Sequence, residues 1–240
     1  RDRSVSRGLG DVYKRQFSHV VDSLSAIKYA KVKAIRDEDG ITTDFQVEGD
    51  FPRYGNDDDR ADEIATTLLS TFLEKLKHIH TYRDSKPTTS ILTITSNVVY
   101  GKATGSLPDG RKAGETFTDA TLSATPGTDT SGPTAVIHSA VKLIDPVVYG
   151  STHFNMKFHP TALTGKENID KFLTLLKTYF DEGGYQCQFN CVTQEKLLAA
   201  KAAPEENKDL IVRVAGFSAY FVTLADAVQD EIIARTSQTW

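Results

Sequence analysis

The stretch LIVRVAGFSAYF, residues 210–221, decides how this chain is interpreted. A single glycine, Gly216, interrupts a run of aliphatic and aromatic residues that is typical of a strand. Glycine weakens a strand because it has no side chain to pack. Taken alone, Gly216 therefore predicts a bulge or a turn that needs a positive φ.

The composition restricts the class of protein. The chain has 240 residues, of which 39% are hydrophobic, enough for a sizeable core. Its 28 basic and 32 acidic residues give a net charge of −4, so no basic surface indicates nucleic acid. No apolar run approaches the ~20 residues of a membrane helix. Two cysteines are too few for a disulfide framework, and we expect a cytoplasmic protein with neither nucleic acid nor membrane as partner.

The pattern of elements predicts an α/β protein with a largely parallel sheet. Apolar residues recur at helical spacing over residues 64–76, and β-branched residues over 90–101 indicate a buried strand. In residues 185–192, cysteine and phenylalanine alternate with the amides Gln186, Gln188 and Asn190. Thr223 and Asp226 have capping-box spacing before a helix predicted over residues 224–236.

Motifs that bind phosphate or metal are not expected. The glycine-rich stretch 101–114 lacks the Lys-Ser/Thr of a phosphate-binding loop and predicts a turn-rich connection. The histidines lack metal-ligand spacing, so no metal site is predicted. As strand residues four apart, Cys187 and Cys191 would lie roughly 13 Å from each other. We interpret both as small core residues rather than nucleophiles.

Several segments carry a resemblance to a known family. RVAGF, residues 213–217, resembles the radical-bearing loop of the glycyl radical enzymes, with the pattern R-V-[ST/A]-G-[YF]. Residues 22–40, 51–65 and 81–114 resemble the pyruvate formate-lyase branch of that family. The resemblance implies the C-terminal part of a ten-stranded α/β barrel built from two parallel half-barrels, with the radical loop near the C-terminus.

The resemblance also implies a division of the chain. Residues 17–115 would be the C-terminal part of the barrel domain, and residues 116–240 the glycine radical domain. Residues 1–16 are basic, have no apolar periodicity and resemble a translated vector scar, so we expect them to be non-native.

By resemblance, Gly216 stores the catalytic radical. Removing an α-hydrogen leaves an electron that delocalises over the adjoining amide groups, which requires a planar α-carbon without a crowding β-carbon. Arg213, Val214 and Phe217 match the part of the motif that an activating enzyme reads. We expect Phe217, Tyr220 and Phe221 to keep oxygen and water from the radical.

The implied reaction needs partners rather than a bound cofactor. A radical-SAM activating enzyme, which uses S-adenosylmethionine and its own iron–sulfur cluster, would install the radical on Gly216. The radical would abstract hydrogen from a cysteine, and the thiyl radical would start homolytic cleavage of pyruvate. Coenzyme A would accept the acetyl group as formate leaves. The resemblance implies no cofactor bound in this chain and a homodimer.

Several departures keep other functions open. The catalytic cysteine pair and the pyruvate-binding arginines of the lyase would lie upstream of Phe17, and neither Cys187 nor Cys191 matches them. Residues 123–143, 155–163 and the C-terminal tail are more similar to the dehydratase and decarboxylase branch. A small radical-domain protein that repairs an oxygen-cleaved lyase is a further alternative. An unrelated α/β protein is the weakest interpretation.

Overall fold

The structure is a computed structural model that describes residues 17–84, 89–91, 96–119, 122–144, 149–152 and 154–240. The segment 1–16, predicted to be non-native, lies outside the described residues. Within the described part, no helix combines the length and the apolar character needed to cross a membrane.

Helices and strands alternate along much of the chain. The helices are α1 Phe17–Tyr29, α2 Asp59–Lys77, α3 Ser96–Lys102, α4 Pro133–Val141, α5 Lys166–Asp181, α6 Gln194–Ala202 and α7 Asp226–Ala234. The strands are β1 Lys31–Arg36, β2 Thr42–Glu48, β3 Thr89–Ile91, β4 Tyr149–Thr152, β5 Asn155–Phe158, β6 Gln188–Cys191, β7 Ile211–Arg213, β8 Ser218–Tyr220 and β9 Ser237–Gln238.

Parallel pairing dominates between distant strands. Strand β5 lies between β6 and β9 and is parallel to both, while β3 pairs in parallel with β4. The two antiparallel pairs, β1–β2 and β7–β8, join strands that follow one another along the chain. The mixed α/β architecture with parallel pairing is therefore confirmed, and it is consistent with part of an α/β barrel.

Two separate apolar cores stabilise this arrangement. The larger packs α1, α2, α4 and α5 around β5, with Phe154, Phe158 and Tyr179 fully buried. The smaller packs α6 and α7 against the β7–β8 hairpin through Leu197, Phe221 and Ile232. The hairpin that contains Gly216 is thus attached to its own core rather than to the periphery of a larger one.

The strand predicted over residues 90–101 is wrong in its second half. Strand β3 ends at Ile91, and Ser96–Lys102 form helix α3. Tertiary contacts override the β propensity here: the Asn97 side chain donates to the Phe117 carbonyl (3.2 Å), and Arg111 donates to the Gly101 carbonyl (2.6 Å). A β-carbon on Gly101 would lie 2.7 Å from Thr116 Cα, so this close approach requires glycine.

The capping box predicted for the last helix is also wrong. Helix α7 begins after Ala225, and the Thr223 hydroxyl donates to the Tyr220 carbonyl (2.8 Å) within a short 3₁₀ turn. The entry to the helix is instead held by Gln229, whose amide donates to the carbonyls of Phe221 and Leu224 (both 3.1 Å). A side chain from inside the helix therefore fixes the turn that leads away from β8.

Candidate functional site

Gly216 lies in the tight connection of the β7–β8 hairpin. Arg213 pairs with Ser218, and the Val214 N–H donates to the Phe217 carbonyl (2.9 Å) beyond the last pair of the ladder. Gly216 is exposed and has a φ of +79°. Because this is the left-handed region that residues with a β-carbon disfavour, the interpretation of Gly216 as a turn glycine with a positive φ is confirmed.

Two buried side-chain amides of β6 form hydrogen bonds to the backbone of the hairpin. The Gly216 N–H donates to Gln188 Oε1 (3.1 Å). Asn190 makes a reciprocal pair with Arg213: its Nδ2 donates to the Arg213 carbonyl, and its Oδ1 accepts from the Arg213 N–H (both 2.8 Å). Buried amides are costly when unpaired, so this pairing fixes the hairpin against the sheet in one register.

The end of α7 supplies a third anchor. Arg235, immediately after that helix, donates to the carbonyl of Val214 (2.9 Å) and more weakly to that of Arg213 (3.3 Å). Its guanidinium also forms a two-point pair with Glu231 through Nε (3.0 Å) and Nη2 (2.8 Å). A planar guanidinium can satisfy a carboxylate and two carbonyls at once, which lysine could not do with the same geometry.

The charges below the hairpin are buried and nearly balanced. Asp119 lies 3.7 Å from Arg235 and accepts from the Asn155 amide (2.7 Å), and Lys157 donates to the Ile233 carbonyl (3.0 Å). Burial lowers the pKa of Lys157 to about 8, with a smaller contribution from Arg235. Burial raises the pKa of Glu231, although Arg235 opposes the shift. Two cations and two carboxylates therefore meet behind the loop.

Residues 109–118 are tied to α1 by a histidine. His19 Nδ1 is hydrogen-bonded to Asp109 (2.6 Å), and its Nε2 accepts from the Thr118 backbone N–H (3.1 Å). All three residues are buried, and they line a cleft of about 530 Å³ that also reaches Glu231 of α7. The lining of the cleft thus comes in part from residues 109–118 and in part from α7.

The aromatic cover predicted around Gly216 is only partly present. Phe221 is fully buried, but Phe217 is 39% exposed and Tyr220 is 52% exposed. Within the described part of the chain, both of these side chains thus keep a large part of their surface open to solvent. The prediction that Phe217 and Tyr220 shield the glycine is therefore wrong for the described residues.

The predicted recognition residues differ in accessibility. Arg213 is half-buried, with its guanidinium donating to the Ser218 hydroxyl (3.0 Å), and Phe217 presents part of its ring to solvent. Val214 is 2% exposed and belongs to the small core. In this conformation a docking protein can reach the side chains of Arg213 and Phe217 but not that of Val214.

The cysteines lie at the two ends of β6, Cys187 immediately before the strand and Cys191 as its last residue. Cys187 is half-buried beside the larger core, whereas Cys191 is exposed, so the interpretation of Cys191 as a core residue is wrong. Burial raises the pKa of the Cys187 thiol to about 11 and also raises that of Cys191. A raised pKa leaves little thiolate at neutral pH, which argues against either as a nucleophile. In the described ranges no three His, Cys, Asp or Glu side chains cluster as metal ligands.

The residues that position the hairpin were missed by the sequence analysis. The one available signal was the alternation of amides in residues 185–192. The buried face of a strand is expected to be apolar. Gln188 and Asn190 are instead amides that are buried, and buried amides indicate backbone N–H and C=O groups nearby that need hydrogen-bond partners. The contact of Arg235 with the hairpin gave no comparable signal, because the two carbonyls that it binds lie 21 and 22 residues away along the chain.

Two family models match the chain. The model described as pyruvate formate lyase-like matches residues 11–101, and the model described as glycine radical matches residues 118–222. Gly216 and the β7–β8 hairpin lie within the second match. The two matches together account for most of the chain.

Individual relatives agree with the family models. The chain is 44% identical to formate acetyltransferase 1 of Escherichia coli, over 91% of this chain and 30% of that protein. Among solved structures, the glycerol-bound B12-independent glycerol dehydratase of Clostridium butyricum superposes with a TM-score of 0.80 at 34% identity. The hydroxyproline dehydratase of Clostridioides difficile, with trans-4-hydroxy-L-proline bound, superposes with a TM-score of 0.81 at 32% identity.

The overlap is extensive for this chain but partial for its relatives. Both dehydratase superpositions cover 94% of this chain and 30% of the compared structure. The chain thus spans about 30% of the length of the proteins it matches. The sequence matches and the shared α/β architecture converge on one assignment: the chain belongs to the glycyl radical enzyme family, with a pyruvate formate-lyase-like segment followed by a glycine radical segment.

Proposed function

We propose that this chain is the C-terminal part of a pyruvate formate-lyase and that Gly216 stores its catalytic radical. The observation that carries the proposal is the arrangement around Gly216. A glycine with no β-carbon lies in a hairpin connection whose N-terminal flank is fixed by Gln188, Asn190 and Arg235. That anchoring would keep a reactive α-carbon in one place relative to the rest of the enzyme.

In the proposed reaction, Gly216 acts as a reservoir. A radical-SAM activating enzyme removes one α-hydrogen atom, and Arg213 and Phe217, which are accessible, offer it a surface for recognition. The glycyl radical then takes a hydrogen atom from a cysteine thiol, which restores Gly216 and leaves a thiyl radical. The thiyl radical starts the cleavage of pyruvate into formate and an acetyl group that passes to coenzyme A.

The reactive cysteine belongs elsewhere in the full enzyme. Cys187 is half-buried beside the larger core. Cys191 lies at the end of β6 and is exposed. We therefore propose that the full enzyme, as a homodimer in the cytoplasm, supplies the thiol, the substrate pocket and the cover for Phe217 and Tyr220.

A diol or hydroxy-amino-acid dehydratase is the second candidate. It is favoured by the superposition on the glycerol and hydroxyproline dehydratases, which share the same radical-domain fold. Identity to formate acetyltransferase 1 is 44%, against 34% and 32% for these two dehydratases. A structure from Roseburia inulinivorans that concerns 1,2-propanediol dehydration is 42% identical over 78% of this chain, so overall identity favours the lyase only narrowly. The groups that contact the substrate decide between the two reactions, and neither similarity reports on them directly.

The radical is tested first, without mutation. The full-length enzyme is incubated anaerobically with an activating enzyme and S-adenosylmethionine, and its electron paramagnetic resonance spectrum is recorded. A carbon-centred doublet is expected from the single remaining α-hydrogen. It should collapse to a singlet in protein labelled with α-deuterated glycine and activated in D2O, where a thiol that returns hydrogen to Gly216 carries deuterium as well. A doublet that survives the labelling would place the radical on another residue.

The substrate is tested with the same activated enzyme. Pyruvate with coenzyme A should yield formate and acetyl-coenzyme A, whereas glycerol, 1,2-propanediol and trans-4-hydroxy-L-proline should be unchanged. Turnover of an alcohol with no formate from pyruvate would reject the lyase and favour the dehydratase. Brief exposure of the activated enzyme to air should cut the backbone at Gly216, and intact mass would contradict radical storage there.

A further inference from the structure

The amide face of β6 is unusual in being both polar and buried. Gln188 and Asn190 are 5% and 6% exposed, while Cys191 on the alternate face is exposed. Burying two primary amides costs free energy unless each finds partners. Both amides are hydrogen-bonded to the backbone of the hairpin: Asn190 to Arg213, and Gln188 to Gly216.

We propose that Gln188 is a positioning residue for the radical: its side-chain carbonyl holds the amide on the N-terminal side of Gly216 and tunes how far the unpaired electron spreads onto that nitrogen. The proposal rests on the proposed storage of the radical at Gly216. Its structural basis is the 3.1 Å contact in which the Gly216 N–H donates to Gln188 Oε1.

The backbone conformation of Gly216 makes this anchor consequential. Conjugation requires the amide on the nitrogen side to be coplanar with the trigonal α-carbon, yet a φ of +79° holds the two planes nearly perpendicular. Forming a fully delocalised radical therefore requires rotation about the N–Cα bond. Either the peptide group before Gly216 or the peptide group after it must therefore turn.

The contacts on the two sides of Gly216 differ. On the N-terminal side, Asn190 holds Arg213, Arg235 holds the Val214 carbonyl, and Gln188 holds the Gly216 N–H. On the C-terminal side, Phe217 and Ser218 are exposed, and the hydrogen bonds given for them run to Val214 and Arg213 of the same hairpin rather than to β6 or α7. The rotation is consequently taken up on the C-terminal side, and Gln188 keeps the amide plane of Gly216 fixed while it occurs.

The same contact favours the radical electronically. As the amide nitrogen donates electron density to the radical centre, its N–H becomes a stronger hydrogen-bond donor. Hydrogen bonds that involve a more charged partner are stronger, so Gln188 Oε1 binds the radical state more tightly than the closed-shell glycine. An interaction that strengthens only in the activated state stabilises that state selectively.

The test uses the activated full-length enzyme with Gln188→Met, which removes the acceptor at similar volume. Gln186→Met is the matched control: it lies two residues earlier, and its buried Oε1 has no hydrogen-bond partner in the described part of the chain. Electron–nuclear double resonance measures the couplings of the amide ¹⁴N and of the exchangeable amide proton. The decay of the doublet under argon gives the lifetime.

We expect Gln188→Met to change both couplings and to shorten the radical lifetime about fivefold, as for the loss of one hydrogen bond. Gln186→Met should match the wild type. Gln188→Glu retains an acceptor oxygen, so its radical lifetime should match the wild type while the exchangeable-proton coupling shifts. If Gln188→Met fails to fold, the coupling in Gln188→Glu tests the proposal. Wild-type couplings in Gln188→Met or in Gln188→Glu would overturn the proposal, whereas a wild-type enzyme with no doublet would overturn the radical assignment instead.

Discussion

Replacing Arg235 with methionine should destabilise the protein by about 4 kcal/mol. The guanidinium makes two hydrogen bonds to Glu231, at 3.0 and 2.8 Å, and lies 3.7 Å from Asp119. The side chains of Arg235, Glu231 and Asp119 are 9%, 4% and 4% exposed. Deleting one member of a buried pair strands the other charge, at a cost of about 3–5 kcal/mol. The carbonyls of Val214 and Arg213 keep other donors in Asn155 and Asn190, so they add little.

The cost should depend on which partner is removed. Glu231→Gln leaves the guanidinium beside Asp119 and the Val214 carbonyl, so we expect a loss of only about 1–2 kcal/mol. The double variant Arg235→Met/Glu231→Leu should recover to within about 2 kcal/mol of the wild type, because no carboxylate of the pair remains unpaired. Arg60→Met, which removes an exposed pair with Asp58, should have little effect.

Urea unfolding monitored by Trp240 fluorescence is a suitable assay. Trp240 is the single tryptophan of the chain, its indole N–H donates to the Ala162 carbonyl (2.6 Å), and it lies beside Phe158 of the larger core. The deficit of Arg235→Met should shrink between pH 7 and pH 5, since a stranded Glu231 takes up a proton and loses its charge. An Arg235→Met variant within about 1 kcal/mol of the wild type, or a deficit that grows on acidification, would refute the reasoning.

Two further predictions concern the barrel-like part of the chain. Burial raises the pKa of Asp22 from 3.8 to about 6, so the folded state holds this proton more tightly and stability should fall as pH rises from about 4 to 6. Asp22→Asn should remove that dependence and stabilise the protein by about 1–2 kcal/mol at pH 7, as judged by urea unfolding across this pH range; an unchanged pH profile would contradict the shift. Gly101→Ala should destabilise by about 2 kcal/mol although alanine favours helices, because its β-carbon would lie 2.9 Å from the Phe117 backbone nitrogen. A higher midpoint of thermal unfolding for Gly101→Ala would contradict the close approach.

The elements with strong local signals could be predicted from the sequence. The apolar periodicity of residues 64–76 gave α2, and the acidic run before it provides the N-cap Asp58, whose side chain accepts from the Arg60 N–H (3.0 Å). Helix α6 begins directly after Thr193, a residue type that favours N-caps, and the Thr193 hydroxyl accepts from the Lys196 N–H (3.1 Å). In both, the interactions that fix the helix lie within one turn of the chain.

The anchors of Gly216 could not be predicted in the same way. Asn190 reaches Arg213 across 23 residues, and α3 replaces a predicted strand because of contacts with residues 111 and 117. Such pairings depend on how distant segments pack, and no local pattern specifies them. The exposure of Phe217 and Tyr220 has a related cause, since aromatic composition indicates burial only where another surface lies opposite.

Gly216 has two separate physical reasons to be glycine, and two substitutions distinguish them. Its φ of +79° costs a residue with a β-carbon about 1–2 kcal/mol, but asparagine tolerates this region better than alanine. If conformation alone mattered, Gly216→Asn would approach the wild type in both stability and radical yield. If the α-carbon also stores the radical, Gly216→Asn should be more stable than Gly216→Ala in urea while both lack the doublet. Equal destabilisation of the two variants would contradict the conformational reason, and a doublet in Gly216→Asn would contradict the radical one.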